Sequence, residues 1–260
     1  MRWRALVIVK KELRDDLKLA LDPVAFARAA GLDPDRWQEE VLCSQSKRLL
    51  LNCSRQSGKT TTVAALALHR AIYVPRSFCL IFSPSLDQSL EFFRRVADLC
   101  NSLGIENVEP EALRKTGMDL KNGSRIEARP GSERTARGRT ANLLVIDEAT
   151  RIEDELYHSL RPMIAVTGGS LVMLSTPYGK RGAFYEAWTT GMGWERYQVT
   201  AEECPRIGRE FLEEERVSLP SWVYRQEYEC SFEETSDQVF TTEMVERAVT
   251  SEVKPLFETG

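Results

Sequence analysis

The chain has 260 residues, 42% hydrophobic and 28% charged, with a formal net charge of −4, values of a soluble globular protein able to bury one α/β core and a smaller appendage. No apolar run approaches the ~20 residues of a membrane span, and the Ala5 to Val9 run, ended by Lys10 and Lys11, is too short for a secretory leader. Six cysteines (43, 53, 79, 100, 204 and 230) make no C-x-x-C pair and no metal-ligand spacing, which argues against a zinc or disulfide scaffold and for a reduced cytoplasm.

Residues 11–30 have helical apolar spacing (Leu13, Leu17, Leu21, Ala25) broken at Pro23, and residues 1–32 are predicted to be an N-terminal helical appendage. Asp33-Pro34-Asp35 has helix-start chemistry, an acidic cap with proline in the first turn, which puts Trp37 and Gln38 on the first turns of a helix leading to Cys43. The core is expected over 33–177. The apolar run Leu49-Leu50-Leu51-Asn52 leads into Cys53-Ser54-Arg55-Gln56-Ser57-Gly58-Lys59-Thr60, and Thr61 to Leu68 continues as a helix. Backbone N–H groups of such a turn converge on phosphate oxygens, and the helix N-terminus favours anions. Gly58 permits close approach, Lys59 suits the β- and γ-phosphates, and the Thr60 hydroxyl suits one Mg²⁺ position. Cys53 stands where the usual G-x-x-x-x-G-K-[ST] pattern has its first glycine.

Phe78 to Ser83 is a second strand and Pro84 to Leu99 a helix; Asn122-Gly123, between extended residues of 118–128, marks a hairpin. Leu143 to Ile146 is a continuous apolar run that delivers Asp147 and Glu148 to a strand end, where ligands of open α/β sheets bind. There Asp147 can hold Mg²⁺ through water and Glu148 can polarise an attacking water; the plainer reading is two acids capping a helix from Thr150 to Leu160. Leu171 to Leu174 is a further strand whose end, Ser175-Thr176-Pro177, is positioned to feel a γ-phosphate. Strands near 49, 78, 143 and 171 separated by helices indicate a mostly parallel, doubly wound sheet. Residues 178–230 are expected to form a small lid, with an edge strand near 197 and two amphipathic helices split at Pro220; 231–260 is acidic and linker-like.

Charge is uneven. Residues 114–139 carry eight bases against three acids, a local +5, whereas 202–260 carry fifteen acids against six bases. That polarity suits one face for a polyanion and another for a basic partner, although an arginine-bearing hairpin exposed to solvent has the same composition.

Ser54 to Thr60, Ser83-Pro84-Ser85-Leu86-Asp87-Gln88, Arg137-Gly138, Val145 to Ala149, Ser175 to Pro177, and Tyr224 to Tyr228 with Phe240 together resemble the ATPase domain of the large terminase subunit of tailed bacteriophages, over about residues 33–240. The fold this implies is an α/β P-loop NTPase of the additional-strand, catalytic-glutamate type: a mostly parallel sheet flanked by helices, with a small C-terminal lid. The function it implies is a motor that hydrolyses ATP with Mg²⁺ to drive double-stranded DNA through a portal ring into a capsid. Its partners would be other copies of itself, usually five, the portal protein and the small terminase subunit, in the host cytoplasm and with no membrane.

The resemblance further implies residue roles. Trp37 and Gln38 look like the adenine-reading motif, Ser54, Arg55, Gln56, Ser57, Gly58, Lys59, Thr60 and Thr61 like the nucleotide cradle, and Thr60 and Asp147 like the metal holders. Glu148, Lys59, Arg55 and Arg137 look catalytic, Arg137 as a finger entering a neighbouring subunit. Ser175 and Thr176 resemble the coupling motif, and Arg125, Arg129 and Arg134 are candidate DNA contacts. The nuclease domain of such subunits does not fit in the twenty residues after Phe240, so no nuclease activity is expected of this chain. Other readings are a two-lobed helicase-like ATPase fragment, and an ATP-dependent assembly switch without turnover.

Overall fold

The structure is a computed structural model, and it describes residues 13–103, 110–131 and 139–234. Four long apolar runs become parallel strands buried on both faces: β1 (Arg48–Cys53), β2 (Phe78–Ser83), β6 (Leu143–Asp147) and β7 (Ser170–Ser175). With β3 (Pro110–Arg114), β4 (Gly117–Leu120), β5 (Arg125–Pro130) and β8 (Glu195–Val199) they make one eight-stranded sheet of order β3-β4-β5-β2-β6-β7-β1-β8. Pairing is parallel from β5 to β8, and β3-β4-β5 is an antiparallel meander at one edge. β7 lies between β1 and β6, so an additional strand separates the phosphate-loop strand from the acidic one, as expected of this NTPase type.

Alternation along the strands sorts the core into two layers. Leu49, Leu51, Cys79, Ile81, Leu143, Val145, Val172 and Leu174 face one side, with α4 (Lys59–Tyr73) and α5 (Leu86–Leu103). Leu50, Leu80, Phe82, Leu144, Ile146, Leu171 and Met173 face the other, with Tyr157 and Leu160 of α6 (Asp154–Leu160) and Phe184 of α7 (Gly182–Thr189). Period 2 in the strands thus fixes which residues meet which helices, and all strand C-termini of the parallel set end on one edge.

The first described helix, α1, covers 13–21. Asp22 accepts from the N–H groups of Val24 and Ala25 and so caps α2 (Pro23–Ala29), with Pro23 at its first turn. α2 is built into the core rather than appended: Phe26 is fully buried and meets His69 and Tyr73 of α4 edge-on, at centroid distances of 5.0 and 6.0 Å. α3 (Arg36–Cys43) has Asp35 as its N-cap, which puts Pro34 before the cap and not in the first turn.

The hairpin at Asn122-Gly123 forms as expected, with Gly123 at φ +80° and Met118 opposite Ile126. Asn122 also ties it down, its Nδ2 donating to the carbonyls of Ala71 and Ile72 at 2.8 Å each. The helix expected from Thr150 to Leu160 is shorter. Glu148 takes a left-handed conformation, Ala149–Arg151 is a 3₁₀ turn, and α6 starts only at Asp154. After β8, α8 (Arg209–Ser218) and α9 (Ser221–Tyr228) are separated at Pro220.

Phe26→Ala should therefore cost about 3–5 kcal/mol in denaturant unfolding, because it empties a core position. A dispensable appendage would lose less than ~0.5 kcal/mol.

Candidate active site

β1 ends at Cys53, whose side chain is fully buried in the core layer that holds α4, so the residue at the usual first-glycine position belongs to the strand, not the turn. Burial pushes its thiol up to about 12, an inert structural cysteine. The turn itself uses positive φ at Gln56 (+58°) and Gly58 (+93°). Inside it the Ser57 hydroxyl donates to Ser54 O at 2.9 Å, and Ser54 N donates to Val199 O of β8 at 2.9 Å. Gly58 is needed on two counts: its φ, and a Cβ there would stand 2.7 Å from Gln38 Nε2. α4 then starts with no side-chain cap, leaving first-turn N–H groups for an anion. Thr60 and Thr61 are half-buried in that turn, and Thr61 Oγ1 accepts from Arg95 of α5 at 3.1 Å.

Three strand ends converge on Lys59. The residue is only 7% exposed, and its ammonium donates to Thr176 Oγ1 at 3.0 Å and lies 3.6 Å from Glu148 Oε1. Ser175 Oγ donates to Glu148 Oε2 at 3.3 Å and meets Thr150 Oγ1 at 2.7 Å, while Thr150 Oγ1 donates to Thr176 O at 3.0 Å. Ser175 and Thr176 therefore touch the lysine and the glutamate at once. Glu148 has φ +46° and ψ +48°, a strained setting for a non-glycine residue. Asp147 is 5% exposed and its Oδ1 has no partner among the described residues. Burial, with Glu148 beside it and partly offset by Lys59, lifts its carboxyl to about 7. An orphaned carboxylate oxygen at a strand end, beside an uncapped helix whose second residue is a threonine, is a donor set fitted to hydrated Mg²⁺.

Gln38 Oε1 accepts from Asp35 N at 2.8 Å, so the acceptor half of its amide closes the cap of α3 while the donor half sits over Gly58. Trp37 is half-buried against the core, its indole N–H unpartnered among the described residues. Arg206 was not legible in the sequence, and Glu227, inside the Tyr224 to Tyr228 motif, had no role assigned there. Arg206 ion-pairs with Asp35 at 2.8 Å and donates to Ser57 O at 2.8 Å, and Glu227 pairs with the exposed Arg55 while its carbonyl accepts from Arg55 N at 3.3 Å. A cavity of about 270 Å³ opens there, lined by Arg55, Gln56, Arg206, Ile207, Gly208, Phe211 and Tyr228. Thr150, expected only as the start of a helix, instead bonds to Ser175 and Thr176.

Residues 50–247, more than half of the chain, match the family model described as the terminase large subunit, T4likevirus-type, N-terminal. The chain belongs to the large-terminase family. It is 25% identical over 255 residues to the terminase large subunit of Thermus phage G20c, covering 83% of this chain and 52% of that protein. It is also 25% identical over 198 residues to the terminase large subunit of Escherichia phage T5, covering 73% and 44%. The chain thus spans about half the length of the curated relatives it matches. Among solved structures it resembles the large terminase ATPase domain of Thermus phage P74-26, with a TM-score of 0.71 at 23% identity, covering 80% of this chain and 97% of that one. It also resembles the large terminase of another thermophilic bacteriophage, solved in complex with ADP (TM-score 0.61, 12% identity, 76% and 54% covered). These likenesses concern the fold. The family match decides for terminase over a two-lobed helicase fragment.

In this chain four of the arginines in the basic stretch are held in ion pairs. Glu127, buried at the meander, accepts from Arg129 Nη2 at 2.8 Å and Arg139 at 2.9 Å and lies 3.4 Å from Arg125; Asp119 takes Arg125 at 2.8 Å and Arg114 at 3.0 Å. Arg134 and Arg137 lie outside the described residues. No described helix is long and apolar enough to cross a membrane.

Asp147 gives a pH test in the absence of metal and nucleotide. Its folded pKa of about 7 exceeds the ordinary 3.8, so between those values the native state holds a proton that the unfolded chain has lost, and stability falls as pH rises towards 7. Asp147→Asn escapes this, and its stability relative to the parent should grow by about 1–3 kcal/mol from pH 5 to pH 8. A difference that stays flat across that range refutes the assignment of the shift.

Proposed function

We propose that this chain is the ATP-hydrolysing motor domain of a terminase large subunit, coupling hydrolysis to translocation of double-stranded DNA into a procapsid. The observation that supports it most is the meeting of Lys59, Glu148, Ser175 and Thr176 beside the partnerless Asp147 Oδ1 at one sheet edge. Ser54 to Thr61 cradle the phosphates. Lys59 turns from Glu148 to the β- and γ-phosphates, which releases the Glu148 carboxylate to accept a proton from the attacking water. Thr60 and, through water, Asp147 hold Mg²⁺, which when bound neutralises charge on the phosphate oxygens.

The proposed coupling runs through β7. Because Ser175 holds Glu148 and Thr176 holds Lys59, reorientation of either charged group with the phosphate state displaces the end of that strand. Gln38 and Trp37 face the base, with the Gln38 Nε2 donor free to pair with an adenine acceptor. Residues 178–230, which carry Arg206, Glu227, α8 and α9, act as the lid and meet Arg55 of the core, residues 33–177. Arg137 serves as a finger to the adjacent subunit of a ring, probed below. DNA, the portal protein, the small subunit and a host-cytoplasm setting follow from the same reading. Arg125, Arg129 and Arg134 are its DNA-facing candidates, the first two at the cost of ion pairs with Glu127 and Asp119.

Lys59→Ala should abolish tight ATP binding, whereas Glu148→Gln should bind ATP and trap it, with phosphate release down by about 10²–10⁴-fold. Normal turnover in either variant contradicts the role given to that residue. For Arg137, mixing Arg137→Ala with Glu148→Gln subunits should restore ATP hydrolysis that neither shows alone, since trans-acting fingers contribute about 10³–10⁵ in rate. Failure of every mixture, with thermal stability lost in Arg137→Ala, would mean that the arginine only braces its own loop.

A further inference from the structure

Besides Asp147 Oδ1, the buried oxygens of Asn52, Ser54 and Ser83 are left without a partner among the described residues near the same edge, and the one on the strand next to β6 is the hydroxyl of Ser83, the last residue of β2, which is 0% exposed. β2 pairs directly with β6 in the register Cys79 to Leu143 through Phe82 to Ile146. One step further along that register stands Ser83 beside Asp147. Both lie on the face of α4 and α5, because Ser83 is two residues beyond Ile81, and Asp147 two beyond Val145, of that core layer. On its other side Ser83 pairs with Pro130, which has no N–H, and the next N–H, of Gly131, is spent on the Ser83 carbonyl at 2.7 Å.

Each buried oxygen left unpaired costs about 1–3 kcal/mol, so two side by side mark a place where something else supplies the hydrogen bonds. Hydrated Mg²⁺ keeps several waters, and groups that hold those waters set metal affinity without touching the ion. A hydroxyl, unlike a carboxylate, both accepts and donates.

We infer that Ser83 is a positioning residue for the metal site, its hydroxyl and the Asp147 carboxylate jointly holding a water of hydrated Mg²⁺. This rests on the proposed role of Asp147 as metal holder.

The test is calorimetric titration of ADP into this chain at a series of Mg²⁺ concentrations and in EDTA, alongside thermal unfolding of the ligand-free protein. Ser83→Ala should raise the half-saturating Mg²⁺ about tenfold or more, leave ADP affinity in EDTA unchanged, and leave the ligand-free Tm unchanged or higher. Ser83→Thr, which keeps the hydroxyl, should restore the Mg²⁺ dependence. An unchanged Mg²⁺ dependence in Ser83→Ala, while Asp147→Ala shifts it, overturns the role of Ser83 alone. If Asp147→Ala leaves it unchanged as well, the metal-holder reading falls with it. A lowered ligand-free Tm with equal Mg²⁺ defects in Ser83→Ala and Ser83→Thr overturns the inference in favour of packing.

Discussion

The ammonium of Lys59 is held out of water at a point where three separate chain segments end. A cation on a buried residue must be compensated, and Thr176 and Glu148 do so from the residues that follow β7 and β6. Most of the architecture follows from making that meeting possible. β7 must lie between β1 and β6 for its terminal hydroxyls to reach both charged side chains, and the three strands must be parallel for their C-termini to share one edge. The apolar runs that make these strands buried on both faces exclude water, so that each charge at the edge acts strongly on the next.

Two of the four non-glycine residues at positive φ among the described residues lie at the same place. Glu148 and Gln56 are non-glycine residues at positive φ, and they flank the lysine from the acidic strand and the phosphate loop. The left-handed Glu148 turns the chain sharply after Asp147, which is why a 3₁₀ turn and not an α-helix follows and why Thr150 comes back to meet Ser175. Such conformations persist only where surrounding contacts over-determine them. Here those contacts include the clamp on the phosphate loop, in which Arg206 joins Ser57 to the cap of α3 and Glu227 grips Arg55.

Charge read along the chain and charge arranged in space lead to different surfaces. The run from Arg114 to Arg139 is basic in sequence, but the meander folds Asp119 and Glu127 inward among its arginines. Two acids thereby engage four arginines, so those side chains are held in place within the meander while the net positive excess stays as counted. Register decides this: Asp119 stands opposite Arg125, and Gly117 opposite Glu127.

The sequence by itself determined the strands that build the core, the phosphate-loop residues, the acidic pair and the hairpin turn, because each is written in local chemistry: apolar runs of strand length, glycine where φ must be positive, and Asn-Gly at a tight turn. It also carried the family, through short motifs spread along the chain. The tertiary structure alone decided the order of the strands, since four runs buried on both faces are interchangeable as strings. It alone decided that α2 belongs to the core, because the spacing of Leu13, Leu17 and Leu21 says nothing about Phe26 meeting His69. The contacts of Arg206 and Glu227 were invisible for a related reason: they act on residues about 150 and 170 positions away, at a separation where no periodicity links them. The orphaned oxygens of Asp147 and Ser83 belong to this second class, because a missing partner is a property of the space around an atom and leaves no trace in the order of the residues.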